Sequence, residues 1–324
     1  MQPVAIYHKH FTAYLEENIQ SREPRGLYDP ILYILNLGGK RIRPILTLLT
    51  AEIFGKNYQE ALPAALAIEV FHNFSLVHDD IMDDAPLRRG KETVHEKWNL
   101  NTGILSGDAM LILAYQYFEK YNPETFQALA KLFSKTALAV CEGQQWDVDF
   151  EVRDDVTINE YLKMIEYKTA VLVAAAMKMG AIIAQTSKEN CQKIYDFGLN
   201  LGIAFQLQDD YLDAFGNPET FGKQVGGDII ENKKTYLYLK ALELASAEEK
   251  NSLLDLYSIQ PNDNSEKVAS VKEIFIQTKS SKLTQEAIAL FTEKAFTVLE
   301  TLEIGDAQKS VLRKFGESLM KRDV

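Results

Sequence analysis

The sequence predicts an all-α fold, with residues 1–324 forming a single helical domain. Three observations predict it. Apolar residues recur at helical spacing over long segments, with little of the alternation a half-buried strand needs. No low-complexity run or clear linker divides the chain, although 324 residues alone would suggest about two domains. The acidic pattern Asp-Asp-x-x-Asp closes two of the apolar segments, at residues 79–83 and 209–213, and both resemble helix ends.

Taken in order, residues 4–20 read as an amphipathic helix and residues 21–30 as a polar loop. A short helix over 31–37 stops at Gly38-Gly39, and the next starts near Pro44, where proline suits a first helical turn. Residues 60–84 form one long helix, followed by a basic loop over 85–95. Helices then follow at 104–120, 124–146, 158–184 and 188–214. A glycine-bearing loop covers 215–231, and two or three more helices, with a polar break at 258–266, complete the chain. The two acid-ended helices share a pattern that hints at an internal pseudo-repeat.

Composition excludes several functions. A formal net charge of -11 argues against nucleic acid as a partner. Cys141 and Cys191 suggest no disulfide framework, which fits a reducing cytoplasm. Residues 1–15 lack the long apolar core of a signal peptide, and no stretch of about 20 apolar residues is present to span a membrane.

The aspartates are badly placed for stability. Asp79, Asp80 and Asp83 precede Pro86, and Asp209, Asp210 and Asp213 precede Gly216-Asn217-Pro218. At a helix C-terminus each carboxylate opposes the dipole by about 0.3–1 kcal/mol. Asp79 and Asp83 also stack as like charges, at about 0.2–0.5 kcal/mol. Cations resolve the conflict, and hard oxygen ligands suit Mg²⁺ shared with a phosphate group. Basic residues sit in loops: Lys40, Arg41 and Arg43 after Gly38-Gly39, then Arg88, Arg89 and Lys91, then Lys168, Lys223, Lys233 and Lys234. Arginine forks and lysine ammoniums both fit phosphate oxygens, so the two sets together point to a diphosphate held with metal ions. A solvated acidic surface, basic loops that merely pair with it, and core packing of Phe71, His72 and Phe74 are the plain alternatives. The recurrence of the acidic motif weighs against them.

Eight segments in this order resemble the trans-isoprenyl diphosphate synthases, or polyprenyl synthetases. They are Gly-Gly-Lys-Arg-Ile-Arg-Pro at 38–44, Ser-Leu-Val-His-Asp-Asp-Ile-Met-Asp-Asp at 75–84, Arg-Arg-Gly at 88–90, Glu-Gly-Gln at 142–144, Lys-Thr at 168–169, Phe-Gln-Leu-Gln-Asp-Asp-Tyr-Leu-Asp at 205–213, Gly-Lys at 222–223 and Asn-Lys-Lys-Thr at 232–235. The resemblance implies a barrel of mostly antiparallel helices around a central cavity, usually in a homodimer. It implies three Mg²⁺ ions on Asp79, Asp83 and Asp209, with Asp80, Asp210 and Asp213 in support. Arg88, Lys168, Lys223 and Lys233 then hold an allylic diphosphate, and Lys40, Arg43, His72 and Arg89 hold isopentenyl diphosphate. Thr169 and Gln206 turn oxygen dipoles toward the allylic cation left by ionisation. The resemblance further implies that Phe74, with Ser75 and Phe71, forms a floor that limits the product to C15 or C20.

Three rivals fit less well. A diiron bundle can use Glu69-x-x-His72 and Glu92-x-x-His95, but it leaves the acidic motifs and basic loops unexplained. A terpene cyclase shares the first motif, whereas Asp213 and Lys223 fit a synthase better. A non-catalytic helical partner protein predicts broken metal or basic positions, and none is broken.

Overall fold

The computed structural model describes residues 4–217 and 225–321. Among these the chain is helical apart from one two-stranded hairpin, as an all-α reading requires. Its contacts divide into two compact units, Met1–Thr136 with Ala175–Tyr195, and Ala137–Ala174 with Asp196–Val324.

The first unit opens with α1 (Val4–Asn18), α2 (Arg25–Asn36) and α3 (Ile42–Ile53). A 3₁₀ turn at Tyr58–Ala61 leads into α4 (Leu62–Met82). Then come the hairpin β1 (Leu87–Arg88) and β2 (Lys91–Glu92), α5 (Val94–Lys97) and α6 (Leu100–Phe118). Helix α4 packs against both α3 and α6 and is buried around most of its circumference, from Ala64 to Phe71 and on to Phe74 and Val77. A helix apolar on all sides belongs in a core, and each large side chain buried this way contributes about 1.5–3 kcal/mol. The segment 175–183 lies on α3 in the same unit. Thr47 Oγ1 donates to the Ala176 carbonyl at 2.9 Å, and a Cβ on Gly180 would lie 2.4 Å from the Thr47 carbonyl oxygen.

Helix α7 (Pro123–Glu151) starts in the first unit and ends in the second. The second unit continues with α8 (Ile158–Ile165), a π turn (Glu166–Ala170), the start of α9 (Val171–Ile183) and most of α10 (Lys188–Phe215). It finishes with α11 (Gly227–Ile230), α12 (Tyr236–Leu244), α13 (Ala247–Tyr257), α14 (Ser265–Gln277), α15 (Ser280–Glu300) and α16 (Asp306–Met320). Its core gathers Tyr161, Leu207, Leu237, Leu253, Val271 and Phe275.

Three expectations need correction. Residues 25–30 belong to α2, because extended Pro24 starts the helix and Pro30 is tolerated as a buried side chain inside it. The segment 158–184 is not one α-helix, since the π turn interrupts it. More helices close the chain than expected. One of them, α13, is announced by a capping box between Ser246 and Glu249, which the sequence displays as Ser-x-x-Glu.

Candidate functional site

Each acidic motif does end its helix. Helix α4 stops inside the first motif, where Asp83 N–H donates to the Asp79 carbonyl at 2.9 Å and Asp84 turns left-handed at φ +47°. The Ala85 N–H then closes on the Asp80 carbonyl at 2.9 Å. In the second unit Asp213 lies in the last turn of α10, and the Gly216 N–H bonds the Leu212 carbonyl at 2.8 Å.

Within the first motif the aspartates differ. Asp80 is 1% exposed and takes the Arg88 fork, with Nε 2.8 Å from each carboxylate oxygen and Nη2 2.6 Å from Oδ1. Burial raises the Asp80 pKa and the Arg88 guanidinium only partly offsets it. Arg88 Nη2 also lies 3.8 Å from Asp79 Oδ2, so the plain alternative of Arg88 pairing with Asp80 is realised. Asp79 is partly exposed and Asp83 exposed, as ligands for an ion arriving from solvent would be.

A basic group surrounds the start of α3. Arg43 Nη1 lies 3.2 Å from His72 Nε2. Arginine only donates, so Nε2 accepts and Nδ1 carries the proton. Burial first, then the Arg43, Arg89, Arg88 and Arg41 guanidiniums, push His72 well below its ordinary pKa, so the ring is neutral. Arg89 donates to the Gly38 carbonyl. Gly39, at φ +122°, holds a backbone conformation that side chains rarely adopt, and the Arg89 guanidinium lies 2.9 Å from where a Cβ would stand. The glycine pair thus seats an arginine against its backbone. Lys40 is exposed.

Arg41 behaves differently from its neighbours. Left-handed at φ 49°, it turns inward to the Glu69 carboxylate and the Leu35 carbonyl, and Asn73 donates to the same carboxylate at 3.0 Å. Glu69 is therefore committed to a structural ion pair, and Glu92 is exposed on β2. This removes the diiron reading on physical grounds.

The residues expected as a chain-length floor sit in an aromatic cluster. The Phe74 ring lies 5.4 Å from Phe71 and 4.8 Å from His78, and Phe71 is 5.0 Å from Phe133. Phe74 is 8% exposed, and Ser75 spends its hydroxyl on the His72 carbonyl at 2.8 Å.

The second unit gathers Lys168, Thr169, Gln206, Asp210 and Lys233 around one pocket. The π turn carries Lys168 and Thr169. Gly143 on α7 admits it, since a Cβ there would lie 2.2 Å from the Lys168 backbone nitrogen. One helical turn on, Asp147 binds Lys168 Nζ at 2.5 Å. Thr169 Oγ1 donates to Gln206 Oε1 at 3.0 Å, and Gln206 Nε2 donates to Asp210 Oδ1 at 2.9 Å. The Tyr161 hydroxyl donates to Asp210 Oδ2. Burial above all lifts the Asp210 carboxyl to about 6. Asp213 Oδ2 accepts the Asp228 N–H at 2.9 Å, which secures the turn before Lys233. Burial and the neighbouring Asp210 and Asp213 carboxylates raise Asp228 well above the usual range. Lys233 Nζ lies 2.8 Å from Glu231, and Asp228 and Glu231 raise its pKa against the pull of burial. Lys234 caps the end of α7, with Nζ 3.0 Å from the Phe150 carbonyl. Lys223 lies outside the described residues.

Asp147, Tyr161 and Asp228 were not expected. Asp147 lies one turn beyond the Glu-Gly-Gln segment and Asp228 directly after Gly226-Gly227, so both had a local signal. Tyr161 had none beyond its place on the apolar face of α8.

The polyprenyl synthetase family model matches residues 24–275. A geranylgeranyl diphosphate synthase from Methanosarcina mazei is 42% identical over 236 residues, 72% of this chain and 73% of that protein. A crystal structure of a geranylgeranyl pyrophosphate synthase superposes with a TM-score of 0.96 at 53% identity, covering 100% of both chains. A polyprenyl synthase from Caulobacter crescentus CB15, solved with calcium and isoprenyl diphosphate, superposes with a TM-score of 0.87 at 26% identity, over 99% of this chain and 96% of that one.

Proposed function

The chain belongs to the polyprenyl synthetase family, and we propose that it condenses isopentenyl diphosphate head to tail with an allylic diphosphate to give an all-trans C20 product. Residues 1–324 act as one functional domain in this reading. The observation that carries it is the pocket of the second unit, where Lys168 and Lys233 stand beside the Thr169–Gln206–Asp210 hydrogen-bond chain. A pocket with ammonium groups, buried carboxylates and an oxygen pair suits a diphosphate leaving group and the cation it leaves behind. Sequence alone left C15 and C20 open. Relatives named for geranylgeranyl diphosphate favour C20.

Each residue has a role in that reaction. Lys168, Lys233, Arg88 and, from its place in the motif, Lys223 stabilise charge growing on the departing diphosphate. Lys168 is held ready by Asp147. Thr169 donates its proton to Gln206, so its oxygen lone pairs are what it offers an allylic cation. Lys40, Arg43, His72 and Arg89 bind isopentenyl diphosphate, with neutral His72 donating from Nδ1. No side chain is needed as the final base, because the released diphosphate can take the proton. The carboxylates of Asp79 and Asp83 in the first unit and of Asp209 in the second, supported by Asp80 and by Asp210 and Asp213, are hard-oxygen ligands suited to Mg²⁺. Three such ions, when bound, supply Lewis-acid stabilisation of the leaving group. Asp80 and Asp210 support the set through Arg88 and through Gln206 and Tyr161.

The working form in this reading is a homodimer. Ile104, Leu105 and Ile112 on one side of α6 are 40%, 60% and 59% exposed, an apolar stripe suited to a second copy. Light scattering of Ile112→Glu should report a monomer, and an unchanged dimer would reject this face. Cys141 and Cys191 are both unpaired, and no helix among the described residues is long and apolar enough to cross a membrane, which supports a cytoplasmic location.

The activity is tested with isopentenyl diphosphate, allylic primers of increasing length and Mg²⁺. Asp79→Asn and Asp209→Asn should each cost orders of magnitude in turnover. Near-normal rates in either would reject the metal assignment.

A further inference from the structure

Between the first acidic motif and α6 the chain brings Asp84, His95 and Glu96 together, each offering a ligand atom within 4.8 Å of the other two. None of the three has a part in the reaction above. We propose that they form a separate site for a borderline divalent transition ion, for which Zn²⁺ is the best-fitting probe.

Loop acids often cluster without a purpose, so His95 has to carry the argument. Its side chain is 8% exposed, and neither ring nitrogen hydrogen-bonds any described residue. A neutral imidazole holds one donor and one acceptor, and more than nine in ten buried polar groups find partners. Here the nearest candidate, Glu96 Oε1, is 3.8 Å from Nε2, too far for a hydrogen bond. It is not too far for two ligands of one ion. Zinc bonds of about 2.0–2.2 Å place tetrahedral ligand atoms about 3.3 Å apart. The exposed Asp84 and Glu96 carboxylates can rotate inward by that difference, while burial holds the His95 ring still.

The loop is built to keep the three groups together. Asp84 leaves α4 in the left-handed conformation. Thr93 then clamps the far end of the loop onto its start, its hydroxyl 2.8 Å from the Ala85 carbonyl and its N–H 3.1 Å from that of Pro86. The pairs Leu87↔Glu92 and Arg88↔Lys91 zip the hairpin between them. His95 and Glu96 follow Thr93 directly and meet Asp84 across this closure. One imidazole with two carboxylates favours zinc-like ions over Mg²⁺, which prefers oxygen alone. A bound ion would brace the base of the loop that carries Arg88 and Arg89.

The test uses full-length, chelator-stripped protein dialysed against Zn²⁺ with Mg²⁺ in large excess, so that all-oxygen sites hold magnesium. Elemental analysis should find one zinc per chain, retained in Asp79→Asn and Asp209→Asn. Calorimetry should show at least about tenfold weaker zinc binding in both His95→Gln and Glu96→Gln. Glu96 is exposed, so its variant remains informative if the buried His95 variant folds poorly. No magnesium-resistant zinc in the wild type, or undiminished affinity in Glu96→Gln, would overturn the proposal.

Discussion

Gly143→Ala tests how the second unit positions its lysine. The methyl group would arrive 2.2 Å from the Lys168 backbone nitrogen, 2.7 Å from the Tyr167 carbonyl carbon and 2.8 Å from the Lys168 Cα. All three are backbone atoms, so no side chain can swing aside. Reaching an ordinary contact at 3.4 Å requires the π turn and α7 to part by about 1.2 Å (3.4 − 2.2). Overpacking of this kind costs about 1–3 kcal/mol of stability. A shift of about 1 Å in a positioning group can cost about a hundredfold in rate, and here it moves Lys168 and Thr169 together. The assay is kcat for condensation at saturating substrates, with a thermal melt alongside. Gly26→Ala is the control, because a Cβ there meets nothing within 4 Å, and it should leave both readings near wild type. Wild-type kcat in Gly143→Ala would refute the claim that this contact sets the lysine.

Phe74→Ala should lose about 3–5 kcal/mol, as a buried ring in an aromatic cluster does, and also lengthen the products. Destabilisation with unchanged product length would return Phe74 to the core alone. Arg41→Ala leaves buried Glu69 without its cation and should cost about 3–5 kcal/mol in a denaturant titration, and a much smaller loss would show that the pair adds little. Asp210, lifted from 3.8 to about 6 in the folded chain, keeps a proton there that the unfolded chain has released. Its contribution to metal-free stability is thus full below pH 3.8 and is lost as pH rises through about 6. Melts in chelator should show the difference between wild type and Asp210→Asn changing across that window, and a flat difference would refute the assignment.

Helix ends were legible because local chemistry determines them. Two acid-ended helices, Gly38-Gly39 and Pro86 all marked real breaks. Lys168, Thr169, Gln206, Asp210 and Lys233, which line one pocket, were legible through their order along the chain. What supports those residues was not. Asp147 reaches Lys168 only because Gly143 lets α7 approach the π turn, and Tyr161 meets Asp210 across 49 residues. Arg41 sits between two residues assigned to substrate, yet its left-handed backbone sends it into the core. Such pairings depend on how helices pack, which a periodic pattern does not record. Lys234 shows the same limit: it lines the pocket beside Lys233, yet its ammonium caps α7.

What the protein makes decides its assignment. Purified full-length chain, isopentenyl diphosphate, Mg²⁺ and dimethylallyl, geranyl or farnesyl diphosphate should give a C20 all-trans diphosphate as the end product, sized by chromatography after dephosphorylation. No condensation with any of the three primers would contradict it.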